Sequence, residues 1–211
     1  MESVLYHVSF VLNVTVVVLG SVMRLPQIIK LYRAKSSEGI SIWANLVDLT
    51  CYMTGLGYGY SFGYPVHAYA ENIFLTLQEI TLVYLAIQYG RVSDITIITT
   101  LIFLTTVCVA IPLNIVPPIV FQLLMVVILP VMISGKVMQI RALIKIKHIG
   151  DLSLMSWSIA TYNNIARCFT MTILAPGDLQ VLLNYYTALI LNSIMVALLL
   201  YYGRGKKEHK T

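Results

Sequence analysis

The segment RLPQIIKLYRAKSSEGIS, residues 24–41, places a proline and a glutamine near the end of a long apolar run and adds basic residues after them. Proline removes a backbone N–H and clashes with the carbonyl four residues earlier, so Pro26 is expected to bend a helix here. In lipid, the freed carbonyl needs a protein partner or water. Gln27 could satisfy it or line a polar path. The pair predicts either a kink closed by a neighbouring helix or a gating hinge beside a solute path.

The composition indicates an integral membrane protein. Of 211 residues, 58% are hydrophobic and only 11% are charged, whereas a soluble domain has about 25% charged residues. The net charge of +5 does not indicate nucleic-acid binding, because the basic residues lie in short segments between apolar runs. The three cysteines lie in apolar runs without metal-binding spacing. No nucleophile–base set or phosphate loop is found, so we expect neither an enzyme nor a metal or other cofactor.

Seven apolar segments approach the length of about 20 residues that a helix needs to cross a bilayer. They run at 5–33, 41–62, 67–90, 94–113, 118–146, 153–175 and 179–202. The sequence therefore predicts an all-α membrane protein with seven transmembrane helices.

Basic residues follow every second span, at 24–35, Arg91, 136–147 and 204–210. With seven spans these segments share one face, which the positive-inside rule makes cytosolic. The N-terminus is then lumenal and the basic tail cytosolic. The last five residues, 207–211, resemble the K-x-H-x-x retrieval pattern, which favours the endoplasmic reticulum over the lysosome.

An internal repeat is indicated by RLPQI at 24–28 and KVMQI at 136–140, a shift of 112 residues. A shift of 113 residues places Asn192 at the position of Glu79. Two three-helix units joined by one helix, a 3+1+3 arrangement, would have the same orientation in the membrane. Transporters built from such parallel repeats bind their substrate near the midplane, between the repeats. The predicted domains are a first repeat, a linker helix, a second repeat and a basic tail, at residues 1–92, 93–116, 117–203 and 204–211.

Ionisable residues inside spans are functional hypotheses by default, because isolated charges there are costly. Counting about 1.5 Å per residue places Glu71 and Arg167 in the lumenal half of the membrane. We expect the Glu71 carboxylate to neutralise the Arg167 guanidinium. The pair would either hold helices together or act as a charge gate.

Asp48 and Glu79 are the candidates for proton coupling. They share the cytosolic third of the membrane with Gln27 and Gln139, and a low dielectric favours the neutral form of a carboxyl group. The alternative is that both are simply hydrogen-bonded to polar neighbours. Asn163 adds polarity to the sixth span, where it could line the path.

These residues resemble the PQ-loop repeat family. The resemblance is carried by Pro26-Gln27, AKSSEG at 34–39, Asp48, YAEN at 69–72, LQE at 77–79 and SWSIATYNNIAR at 156–167. Within the family the chain is similar to solute carrier family 66 and to the mannose-P-dolichol utilization defect proteins, and its layout resembles that of SWEET-type transporters. The second repeat has Met138-Gln139 instead of Pro-Gln, so only the first repeat would carry the hinge.

The resemblance implies a transporter that moves a small polar solute across an endomembrane by rocking of two half-bundles, with protons as a possible second partner. It also leaves open a non-transporting membrane factor of the endoplasmic reticulum that supports use of dolichol-linked sugars and glycan assembly. In both cases the partners are the lipid bilayer and a polar solute or dolichol-linked sugar, not nucleic acid.

Overall fold

The computed structural model describes residues 2–37, 42–90, 99, 102, 115–146 and 154–208. Every regular element in this part of the chain is a helix. The α-helices are α1 (Glu2–Val22), α2 (Leu25–Ala34), α3 (Ile42–Ser61), α4 (Ala70–Tyr89), α5 (Pro118–Ile146), α6 (Leu154–Leu174) and α7 (Leu179–Glu208), with a 3-10 turn at Val66–Ala68.

The chain breaks its helix at Met23 and Arg24, which we call the α1–α2 junction. Pro26 was expected to bend one continuous helix, but it lies in the first turn of α2, which begins a new helix at Leu25. A proline costs little there, because the first N–H groups of a helix have no intrahelical partner. Lys35 ends α2 in the left-handed conformation, with φ 47°. The proline therefore starts a helix instead of distorting one.

Four runs are long and apolar enough to cross a membrane, at Val4–Ala34, Ala70–Tyr89, Pro118–Lys145 and Leu179–Tyr202. They coincide with the first, third, fifth and seventh predicted spans, which supports the predicted all-α membrane fold. The second and sixth predicted spans form α3 and α6, which are richer in polar residues.

The fourth predicted span, 94–113, lies outside the described residues except for Thr99 and Ile102, both helical. The count of seven helices and the 3+1+3 arrangement therefore stay predictions.

Two compact units make up the chain. One comprises Val14–Leu124, and the other comprises Met1–Asn13 with Met125–Thr211. In the Val14–Leu124 unit, α2 and α3 both pack on α4, and Leu31 of α2 is buried against α4. In the other unit, α6 packs along α7, around a core of Leu143, Met195 and Leu199. The predicted domain boundaries stay a prediction.

Polar side chains occupy the interior of these units. Those that are buried include Ser9, Asn13, Asn45, Thr54, Thr76, Gln78, Glu79, Asn163, Arg167, Thr170 and Asn192. Large apolar side chains are instead exposed along the helices, as on α5 at Leu123, Val126 and Val127. This distribution suits helices surrounded by lipid, where buried polar groups must find partners inside the protein. It directs the search for a functional site to the interior of each unit.

Candidate functional site

The backbone groups freed at the α1–α2 junction are satisfied by Gln78 of α4. The backbone N–H of Arg24 donates to Gln78 Oε1 at 2.9 Å. Gln78 Nε2 donates to the carbonyl oxygens of Gly20, at 2.9 Å, and of Phe74, at 3.1 Å. Sequence reasoning offered Gln27 for this task, but the Gln27 side chain instead accepts a hydrogen bond from Arg24 Nη1 at 3.3 Å. A buried amide from a neighbouring helix therefore closes the break.

The Arg24 side chain joins two carboxylates. Its Nη2 is ion-paired with Asp48 of α3 and donates to the hydroxyl of Tyr52 at 2.9 Å. Its Nε lies 3.2 Å from Oε2 of Glu79 on α4. We call these four residues the Arg24 cluster. One guanidinium faces two carboxyl groups, so the cluster carries one surplus negative charge when both are ionised.

The two carboxyl groups of the Arg24 cluster have different surroundings. The Asp48 side chain is 44% exposed, whereas that of Glu79 is 0% exposed. Neither oxygen of Glu79 accepts a hydrogen bond with good geometry, although Arg24 Nε is close. Buried polar atoms are rarely left in that state. Glu79 therefore has unused capacity to hold a proton, which would also remove the surplus charge of the cluster.

Arg24 is the residue of this site that sequence reasoning missed. The charge pattern placed it with the basic residues of a cytosolic segment. In the structure it lies inside the apolar run Val4–Ala34, ten residues before its end, or about 15 Å along a helix. The signal that could have identified it was the presence of Asp48 and Glu79 at one predicted depth, because two buried carboxylates need a cation.

Lys136 occupies the matching position in the other unit. It too was counted among the loop charges, but it lies within the membrane-length run Pro118–Lys145. Its Nζ donates to Oδ1 of Asn192 and lies 5.5 Å from the ring centroid of Trp157. We call Lys136, Trp157 and Asn192 the Lys136 site. The repeat that aligns Lys136 with Arg24 also aligns Asn192 with Glu79, so each unit joins a basic residue to a polar one at equivalent positions.

Arg167 is buried beside Asn13. Its Nη1 donates to Asn13 Oδ1 at 2.8 Å, and the two residues are 2% and 0% exposed. Glu71 belongs to the Val14–Leu124 unit, where a Cβ added at Gly20 would lie 2.8 Å from its Cγ. The predicted ion pair between Glu71 and Arg167 would join residues of two units, and it stays a prediction.

The remaining predicted path residues differ in exposure. Gln139 of α5 is exposed. Asn163 of α6 is buried, and its Oδ1 has no hydrogen-bond partner. Asn192 is 1% exposed, and its Nδ2 has no hydrogen-bond partner. Among the described residues, no group of three His, Cys, Asp or Glu side chains is placed to hold a metal ion.

Comparison with known proteins gives a consistent result. Residues 8–68 match the model of the PQ loop repeat, and this range contains the α1–α2 junction and Asp48. The chain is 26% identical over 183 residues to human solute carrier family 66 member 3, covering 86% of this chain and 88% of the relative. Its fold resembles that of a eukaryotic SWEET transporter, with a TM-score of 0.70, 16% identity and coverage of 93% of this chain and 99% of the other. The predicted resemblance is thereby confirmed. Neither protein is named as an enzyme.

Proposed function

Taking the chain as a PQ-loop membrane protein related to solute carrier family 66, we propose that it moves a small polar solute across an endomembrane by rocking of two half-bundles, coupled to protons through Glu79 and Asp48. The observation that carries the proposal is the Arg24 cluster, where one guanidinium lies between two carboxyl groups. An uncompensated charge inside a membrane-spanning helix is costly. A proton that enters the cluster removes that cost.

The cluster links the α1–α2 junction to two other helices. Through Arg24, the junction is tied to Asp48 on α3 and to Glu79 on α4. A proton on Glu79 removes one of the two attractions on the guanidinium, while Gln78 still holds the Arg24 backbone. Because Pro26 has no N–H to donate, the junction can change its angle without losing a helical hydrogen bond at that residue. Protonation would therefore loosen one contact of the hinge and keep the other.

The test uses purified protein in liposomes with an entrapped pH-sensitive dye and an inward proton gradient. Amino acids, hydroxy acids and sugars are added one at a time, and solute-dependent acidification of the lumen is recorded. We expect at least one of these solutes to cause it. Glu79→Gln should abolish the acidification but leave exchange of the labelled solute across the membrane. A substituted protein that still couples solute entry to protons would contradict the role of Glu79.

Asp178→Asn is the matched control. Asp178 lies between α6 and α7, outside both helices, and its Oδ1 accepts the backbone N–H of Val181 at 3.1 Å. Asparagine caps a helix as well as aspartate does, so this substitution removes a carboxylate without loss of the cap. Proton coupling should be unchanged. If no solute moves, and deletion of the protein alters dolichol-linked glycans, the non-transporting alternative is favoured over transport.

The proposal includes a topology. We place the N-terminus in the lumen, the tail in the cytosol and the protein in the endoplasmic reticulum, with three helices in 1–92, a linker helix in 93–116 and three helices in 117–203. Protease protection of tags at the two ends in sealed microsomes tests it. A tail protected together with the N-terminus would contradict the odd number of spans.

A further inference from the structure

We infer that the Lys136 site binds a carboxylate group of the transported solute. The inference rests on the proposed function and adds to it the chemical class of the solute, a small organic anion. The site lies within the unit formed by Met1–Asn13 and Met125–Thr211, and the amide and ammonium groups that make it are on α5 and α7.

Lys136 is a half-buried cation whose partner carries no charge. It lies within a membrane-length helix, where a lysine at the centre costs about 2.5–3.5 kcal/mol. The residue it donates to is the amide of Asn192, and in the part of the chain that the structure describes no carboxylate is ion-paired with it. Arg24, at the matching position of the other unit, has two carboxylates. The Lys136 site therefore has a positive charge that a ligand could balance.

The unused hydrogen-bonding capacity of the site consists of donors. The ammonium has three hydrogens, of which one is directed to Asn192 Oδ1. Asn192 Nδ2, on a residue that is 1% exposed, has two more hydrogens and no partner. A ligand that satisfies both groups must accept hydrogen bonds at neighbouring positions, as the two oxygens of a carboxylate do. One ammonium also balances one carboxylate, whereas a phosphate monoester brings nearly two negative charges.

Trp157 makes the site observable. Its ring centroid lies 5.5 Å from Lys136 Nζ, within the roughly 6 Å over which a cation and an aromatic face attract each other. The chain has two tryptophans, and the other, Trp43, is 69% exposed. In Trp43→Phe, the fluorescence comes from Trp157 alone. An anion that draws the ammonium away from the ring should change that fluorescence.

The experiment titrates purified Trp43→Phe protein with lactate, succinate and glutamate, and in parallel with lactamide and succinamide. Concentrations reach about 100 mM, which covers affinities in the millimolar range. We expect a saturable change with at least one carboxylate and none with its amide. Lys136→Gln in the same background should weaken binding about tenfold or more, Lys136→Arg should retain it, and Lys145→Gln, an exposed lysine on the same helix, should not affect it.

Several outcomes would overturn the inference. These are no response to any of the three carboxylates, equal responses to an acid and its amide, unchanged affinity in Lys136→Gln, and tighter binding of inorganic phosphate than of every carboxylate. The failure of transport is a separate result. Saturable carboxylate binding without solute movement in liposomes would keep the site and reject the proposed function, whereas movement of a neutral sugar without carboxylate binding would do the reverse.

Discussion

Replacing Gln78 by leucine should open the α1–α2 junction. The Gln78 amide accepts from the Arg24 N–H at 2.9 Å and donates to the Gly20 carbonyl at 2.9 Å. Leucine is similar in size and removes both interactions. The Gly20 carbonyl keeps a weaker hydrogen bond from the Met23 N–H, at 3.3 Å. The substitution therefore affects mainly the Arg24 N–H.

The magnitude follows from these bonds. Leaving a buried donor without a partner costs about 1–3 kcal/mol, and an ordinary hydrogen bond contributes about 0.5–1.5 kcal/mol. Polar contacts between membrane helices tend toward the low end, at about 0.6 kcal/mol on average. A total of about 2–3 kcal/mol is therefore expected, which corresponds to a fall in Tm of about 5–10 °C for a chain of this size.

The assay combines thermal unfolding in detergent with hydrogen exchange of the peptide that covers residues 20–28. Because 1.4 kcal/mol is a factor of ten in an equilibrium, exchange of the Arg24 amide should rise about 30-fold. The control is Gln88→Leu, the same substitution at an exposed position of the same helix, which should change neither measurement. The reasoning is refuted if exchange at 20–28 is unchanged, or if both substitutions lower the Tm equally.

Two further predictions concern packing and charge. A Cβ added at Gly57 would lie 2.3 Å from Cε1 of Phe121, whereas one at Gly135 would meet nothing within 4 Å. Gly57→Ala should therefore lower the Tm by about 3–9 °C through overpacking, and Gly135→Ala should raise it by about 2 °C through the better helix propensity of alanine; equal shifts would contradict this. Asn192→Asp gives Lys136 a charged partner, so the Tm should rise by about 3–8 °C and carboxylate binding should be lost. A lower Tm, or binding that persists, would count against an unbalanced ammonium.

The helices were predictable because their apolar runs are continuous and long. The second and third predicted spans, 41–62 and 67–90, agree closely with α3 at Ile42–Ser61 and α4 at Ala70–Tyr89. The helix break at the opening segment was expected at Pro26, but α1 already ends at Val22, because a proline is most easily accommodated in the first turn of a helix. Element types and positions thus follow from local sequence, with an error of a few residues at the break.

The contacts that build the site were less accessible to sequence reasoning. Gln78 lies 54 residues from the Arg24 N–H that it accepts, and no periodicity reveals such a partner. Arg24 and Lys136 were assigned to loops because a charge count treats every basic residue near the end of an apolar run alike. Only the three-dimensional arrangement separates them from Lys145, which is exposed in the last turn of α5.

The difference between the two units lies in what faces a basic residue at the same repeat position. Arg24 faces Glu79 and Asp48, which leaves a surplus negative charge when both carboxyl groups are ionised. Lys136 faces the neutral amide of Asn192, which leaves a surplus positive charge. A proton balances the first surplus and a carboxylate balances the second. Since unbalanced charge within the membrane is costly, a cycle that takes up one proton and one organic anion leaves both sites neutral. This is a physical reason for proton-coupled movement of an anion by this chain.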